Sequence, residues 1–149
     1  MADIVDPRTR SRMMAGIKGK DTRPELLIRS ALHKAGFRFR LHDKRLPGSP
    51  DLVLPKYRAV IFVHGCYWHR HKGCRFATTP ATRTEFWGNK FRRNVERDER
   101  NRVQLLDDGW RVFTIWECGI RNDLGYVMTK LKLALASGDE SEMEIACET

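Results

Sequence analysis

Cys66, His71 and Cys74 fall within one short loop, and a fourth soft donor, Cys118, stands far downstream, just after a strand-like run ending at Trp116. Three near ligands and one distant ligand suit tetrahedral zinc, and four protein ligands leave no open position for a substrate, so such a site would be closed and structural. A fold that binds zinc here must bring this loop against the far end of a sheet. The competing arrangement is a set of separate buried thiols with a surface histidine. Disulfides are disfavoured. The opening Met1-Ala2-Asp3-Ile4-Val5-Asp6 carries acids where a secretory segment has a basic start and an apolar run, so the expected compartment is the reducing cytoplasm. Cys147, near the end, is expected to be free.

Around this constraint the chain reads as one domain, since 149 residues can bury one core and little more. Residues 1–20 form a basic N-terminal arm in which Arg8, Arg10, Arg12 and Lys18 alternate with Met13, Met14 and Ile17 at helical spacing. Thr22-Arg23-Pro24-Glu25 then combines an N-cap threonine, an early proline and a glutamate three positions on, which starts a helix that Gly36 ends. Phe37-Arg38-Phe39-Arg40-Leu41 alternates as a strand does. Apolar runs at 52–54 and 59–63 predict paired central strands, 84–108 a long helix closed by Gly109, 111–116 a further strand, and 123–136 a last helix. Residues 21–136 are the expected main domain, and 137–149 a flexible acidic tail. The order of elements predicts an α/β fold with a mixed central sheet flanked by helices. The apolar run at 59–63 is far too short to span a bilayer, so no membrane role is expected.

Lys and Arg number 28 against 19 Asp and Glu, a net charge of +9 that favours a polyanionic partner such as a phosphate backbone over a neutral one. Asp51 follows Pro50 at the entrance to one apolar run, and His64 follows the neighbouring run, so paired strands could bring both to one sheet edge. Phosphodiester hydrolysis needs a cation, a hard oxygen ligand to fix it and a base to take a proton from water. Asp51 offers the oxygen, and His69 or His64 could be the base, since imidazole titrates near neutrality. Asp after a proline turn is otherwise a turn or cap residue. Glu25 could order water at the cation if its helix packs beside Asp51, or could serve only as the capping-box partner. His33 and His42 are assigned ordinary surface or packing roles.

Several runs together resemble one known family. Leu46-Pro47-Gly48-Ser49-Pro50-Asp51, Phe62-Val63-His64-Gly65-Cys66-Tyr67-Trp68-His69, Ala81-Thr82-Arg83-Thr84-Glu85-Phe86-Trp87, Asn94-Val95-Glu96-Arg97-Asp98 and Trp116-Glu117-Cys118 are similar, in this order, to the very short patch repair mismatch endonucleases, over about residues 9–121. The resemblance implies a restriction-endonuclease-like fold, a bacterial cytoplasmic enzyme, and a magnesium-dependent nick in one DNA strand beside the thymine of a T:G mismatch left by 5-methylcytosine deamination. It implies Asp51 as magnesium ligand, Val63 as a backbone-carbonyl ligand, His69 as proposed general base, His64 and Glu25 as groups orienting metal-bound waters, and zinc at Cys66, His71, Cys74 and Cys118. Val63 and Tyr67 stand where the family has threonine and phenylalanine. Tyr67, Trp68 and Trp87 are the aromatics expected to wedge into the base stack, with Met14 of the arm entering from the opposite groove and Lys90 and Asn94 touching the mismatch. The rivals are a restriction endonuclease of the same fold cutting both strands of matched duplex, and a zinc DNA-binding module without catalysis. A monomer is expected. Cooperation with mismatch-repair proteins is suggested by the resemblance alone.

Overall fold

A computed structural model describes residues 22–147. The basic arm and Met14 lie outside the described residues. Helix α1 (Arg23–Lys34) begins where Thr22, in extended backbone, accepts the Glu25 amide proton on its hydroxyl, and Pro24 sits in the first turn where no amide partner is needed. Ile28 and Leu32 bury one stripe of the helix, and Gly36 takes the left-handed turn (φ +91°) that leads away from it.

The five strands run in the order β1-β2-β3-β4-β5. Strands β1 (Arg40–Leu41), β2 (Leu52–Leu54) and β3 (Ala59–His64) pair antiparallel, with Arg40 opposite Val53 and Leu52 opposite Ile61. A single 3₁₀ turn, Pro55–Tyr57, and a left-handed Arg58 (φ +49°) join β2 to β3. Helix α2 (Thr84–Asp107) then crosses over so that β4 (Arg111–Trp116) lies parallel to β3, in a register that sets Trp116 beside His64. The short α3 (Glu117–Asn122) and α4 (Leu124–Ser137, capped by the Asp123 carboxylate on the Tyr126 amide) follow.

Two departures from expectation concern strands. The alternation at 37–41 becomes a ladder only at Arg40–Leu41, because β2 spans three residues before Pro55 and offers nothing longer to pair with; Phe37 and Phe39 still pack on the core. Within 137–149, expected to be a loose tail, Glu142–Ile145 forms β5, parallel to β4 and paired through Val112–Glu142 and Ile115–Ile145. Its acids conceal an edge strand: Ile145 is buried, while Glu142 pairs with Arg102 and Glu144 accepts the Trp116 indole N–H at 3.2 Å.

Alternation along the strands sorts the core into two layers. Leu52, Leu54, Ile61, Phe113 and Ile115 face Ile28 and Leu32 of α1 and Val127, Leu131 and Leu135 of α4. Val53, Val60 and Val112 face Leu105 of α2 on the other side. The sheet is thus mixed and covered on both faces. The parallel β3 and β4 end together at His64 and Trp116, the edge at which α/β proteins tend to place their sites. No helix among the described residues is long and apolar enough to cross a membrane.

Candidate active site and metal centre

Antiparallel pairing of β2 with β3 places Asp51, one residue before β2, next to the end of β3. Its Oδ2 accepts the Val63 amide proton at 2.7 Å. Glu25, nearly inaccessible at 2% exposure, comes from the first turn of α1, and its Oε2 lies 2.9 Å from both Arg29 Nη1 and His42 Nε2. The other face of the His42 ring turns its Nδ1 toward Asp51 Oδ1 at 3.8 Å. Burial pushes the Asp51 carboxyl up to about 7; the Val63 amide opposes this, and the neighbouring Glu25 carboxylate adds to it. Two sunken carboxylates and an imidazole whose donor atoms lie within 4.8 Å of one another form a set that a cation would relieve, and the oxygens suit a hard ion such as magnesium. Glu25 contributes its backbone amide to the Thr22 cap and turns its carboxylate toward Arg29 and His42. His42, assigned an ordinary role from its spacing, joins the two acids; His33 is exposed, as expected.

A second set begins at the end of β3. The His64 ring stacks on His69 with centroids 3.8 Å apart and planes 3° apart, and meets Trp116 edge-on at 5.2 Å. Burial, reinforced by His69, drives His64 down to about 3, so it is neutral at physiological pH and a weak proton acceptor. His69 differs because its Nδ1 lies 2.6 Å from Asp98 Oδ2 on α2. Burial is the strongest single influence on the Asp98 carboxyl and would raise it, but the hydrogen bond with His69 and the positive charge around it, Arg97 included, together hold Asp98 below the ordinary carboxylate value. An ionised Asp98 claims the Nδ1 proton and leaves Nε2 as acceptor, the tautomer a general base requires. Asp98 was legible only as part of a matching run; its function as a partner comes from α2 passing over the loop.

His64 and Asp51 have opposite linkage to pH. Between about 3 and its ordinary 6.5, His64 is neutral when folded and protonated when unfolded, so stability is lost as pH falls. Between its ordinary 3.8 and about 7, Asp51 is protonated when folded and ionised when unfolded, so stability is lost as pH rises. The two contributions oppose each other across the acid range. Urea midpoints of magnesium-free protein should therefore separate two variants: Asp51→Asn destabilised toward pH 4.5 relative to 6.5, and His64→Gln shifted in the opposite direction. Parallel shifts in the two would contradict this assignment.

Beyond His64 the chain turns back on itself. Cys66, His71, Cys74 and Cys118 bring their donor atoms within 4.8 Å of one another. The His71 amide donates to the Cys66 carbonyl at 3.0 Å, the Cys74 amide to the His71 carbonyl at 3.2 Å, and the Cys118 amide to Cys66 Sγ at 3.3 Å. Left-handed Gly73 (φ +73°) allows the tight return. Burial pushes the Cys66 and Cys118 thiols up, so ionising several sulfurs here calls for a cation among them. Sulfur and imidazole at such spacing suit zinc, whose tetrahedral thiolates sit about 3.8 Å apart for bonds of about 2.3 Å. His71 stacks on Trp116 at 4.2 Å, so this cluster and the His64–His69 pair share one indole. Cys147 forms no disulfide and packs on the same cluster, its amide 3.5 Å from Cys118 Sγ.

Tyr67, Trp68 and Trp87 are half-buried, neither core residues nor fully exposed. They gather around Phe91, a buried α2 residue that the sequence reading did not single out, at centroid distances of 5.3, 6.3 and 5.9 Å. Lys90 Nζ stands over Trp68 at 5.6 Å and Trp87 at 5.4 Å, and Asn94 donates to the Trp68 carbonyl at 3.3 Å. Tyr67, Trp68, Trp87, His64, His69, Asp51, Glu25 and Asp98 all line one open groove of about 2040 Å³, larger than a small-molecule pocket and suited to a polymer.

Comparison with known proteins bears on the family to which the chain is similar. Residues 2–75 match the family described as DNA mismatch endonuclease Vsr. The chain is 50% identical over 121 residues to the DNA mismatch endonuclease Vsr of Escherichia coli K12, covering 81% of this chain and 77% of that protein. It is 46% identical over 132 residues to the type II nicking enzyme V.XorIIP of Xanthomonas oryzae, covering 89% and 96%, and 43% identical over 122 residues to the type II nicking enzyme V.NmeAIP of Neisseria meningitidis, covering 82% and 86%.

Proposed function

Because the chain belongs to the Vsr family of DNA mismatch endonucleases, we propose that it nicks one strand of duplex DNA beside the thymine of a T:G mismatch, by magnesium-dependent hydrolysis. The observation that carries this reading is the shared groove: the Asp51 carboxylate and the His69–Asp98 pair open onto the same channel as Tyr67, Trp68 and Trp87. Asp51 and the Val63 carbonyl would hold magnesium, with Glu25 and His42 behind them. When bound, magnesium neutralises charge developing on the phosphate. His69 Nε2 takes a proton from the attacking water, whose oxygen bonds to phosphorus as the P–O ester bond breaks and the departing oxygen, which keeps the electron pair, takes up a proton from solvent. Asp98 stabilises the resulting imidazolium, and neutral His64, stacked against His69, fixes the ring plane. Zinc at Cys66, His71, Cys74 and Cys118 would brace the loop bearing Tyr67, Trp68 and His69.

Selectivity follows from the cost of opening the stack. Inserted aromatic faces return about 1–3 kcal/mol per base, and a mispair is cheaper to unstack than a Watson–Crick pair. Lys90 and Asn94, which flank the indoles, are the proposed contacts to the mismatch, and Met14 a further wedge. That two relatives are nicking enzymes favours single-strand scission over the double-strand cut of a restriction enzyme. Incubation with magnesium and duplexes holding each mismatch tests the reading: one nicked strand in T:G DNA is expected, whereas equal cutting of paired DNA, or scission of both strands, would refute it. His69→Gln should slow single-turnover nicking by about 100-fold or more, the usual yield of a positioned base, and Asp98→Asn by less. Trp68→Ala should slow nicking of T:G duplex while leaving affinity for matched DNA nearly intact, read by gel shift.

A further inference from the structure

Arg70 stands between the proposed base, His69, and the zinc-type donor His71, in left-handed backbone (φ +53°) that non-glycine residues adopt only when their surroundings impose it. Its guanidinium supplies that constraint. Nη1 donates to the carbonyls of Tyr67 at 3.3 Å and Thr78 at 2.8 Å, and Nη2 donates to the Ala77 carbonyl at 3.0 Å and Thr79 Oγ1 at 3.1 Å. Its Cζ lies over the Phe91 ring, 4.1 Å from the ring centre, and 5.6 Å from the centre of the Tyr67 ring. Phe91 is the ring on which Tyr67, Trp68 and Trp87 converge.

We propose that Arg70 is a positioning residue for duplex opening: it staples the 77–79 segment to the Tyr67–Trp68 turn and fixes the aromatic wedge before DNA arrives. With both terminal nitrogens already donating to protein oxygens among the described residues, Arg70 is not the kind of arginine that grips a phosphate. A preset wedge enters the stack without first losing side-chain freedom, which is where rigid recognition surfaces gain over mobile ones. Lysine cannot replace it, because a point-like ammonium does not reproduce a planar fork that meets acceptors on two sides while stacking on a ring. The proposal rests on the wedge reading given above.

The test uses the zinc-loaded full chain and a T:G duplex with 2-aminopurine beside the mispair, whose fluorescence rises when the base unstacks. Arg70→Lys and Arg70→Met should lose most of that rise and nick about 10-fold more slowly, the scale expected when two side chains must be ordered on binding. On a duplex with an abasic position beside the thymine, already open, both should nick within about threefold of the parent, because the step Arg70 serves has been bypassed. Thr79→Val removes one staple bond on an exposed side chain and should show a smaller loss of the same kind. The salt dependence of binding to matched duplex should not change in Arg70→Met, whereas a lost phosphate contact would lower the slope by about one.

A full fluorescence rise in Arg70→Met overturns the proposal, as does equal slowing on both duplexes or a reduced salt slope. Should both Arg70 variants lose zinc, Thr79→Val decides, and an unaltered fluorescence rise there overturns it. No rise in the parent protein would instead refute the wedge itself, and with it this inference.

Discussion

Asp51→Asn is expected to abolish nicking, by at least about 10³-fold in single-turnover rate, equivalent to about 4 kcal/mol of transition-state stabilisation. Asparagine keeps the shape and can still accept the Val63 amide proton, but it cannot hold a cation with a full negative charge. Folding should survive, because burial already pushes this carboxyl up to about 7 and the fold therefore accepts an uncharged group at that position. The ionised form is the one that binds the ion, so at sub-saturating magnesium parental nicking should rise as pH passes about 7, and saturating magnesium should move that rise toward lower pH. A folded Asp51→Asn protein with parental turnover would remove the basis for the assigned chemistry.

Cys118→Ser carries the second large effect, on stability. It removes the distant donor that joins the 66–74 loop to the end of β4, leaving Cys66 and Cys74 with His71 but without the tie across the sheet. The variant should lose its zinc, and its Tm should fall by about 10 °C or more. Loss of a structural metal belongs to the class of changes that cost about 4 kcal/mol or more, and a chain of this size shifts by about 2–4 °C per kcal/mol. Chelation of the parent should reproduce the shift. Cys147→Ser, which alters a thiol packed beside the cluster but outside the four-donor set, should retain zinc. Metal analysis with thermal melts checks all three, and zinc retained in Cys118→Ser would break the assignment.

What the sequence disclosed depended on whether the signal was local. Helix α1 was legible because Thr22, Pro24 and Gly36 mark its ends, and β4 because a β-branched and aromatic run, Val112 to Trp116, lies between Gly109 and the polar residues after Trp116. Strand β5 was hidden: its two glutamates and small apolar content read as tail, and only the open edge of β4 makes it a strand. The same distinction holds at the site. The four soft donors announced themselves by chemistry and spacing, and Asp51 by its place between a proline turn and an apolar run. The link of His42 to Glu25 and Asp51 arises from antiparallel pairing at β1 and β2, and the link of Asp98 to His69 from a helix crossing a loop. Neither has a fixed separation along the chain. The choice between His64 and His69 as base was open in sequence, and burial of one ring and a carboxylate beside the other now favour His69.

The order of strands across the sheet has a consequence for the protein's synthesis. Strands β1 to β3 leave the ribosome first and can fold back on one another, but β3 keeps a bare edge until β4 is made, and β4 until β5 is made. Cys118 and the acid that holds Trp116, Glu144, both follow β4 in the chain. A nascent chain thus carries Asp51, His69 and Asp98 before the strands that complete the sheet beneath them, so the groove takes shape only after β4 and β5 have paired.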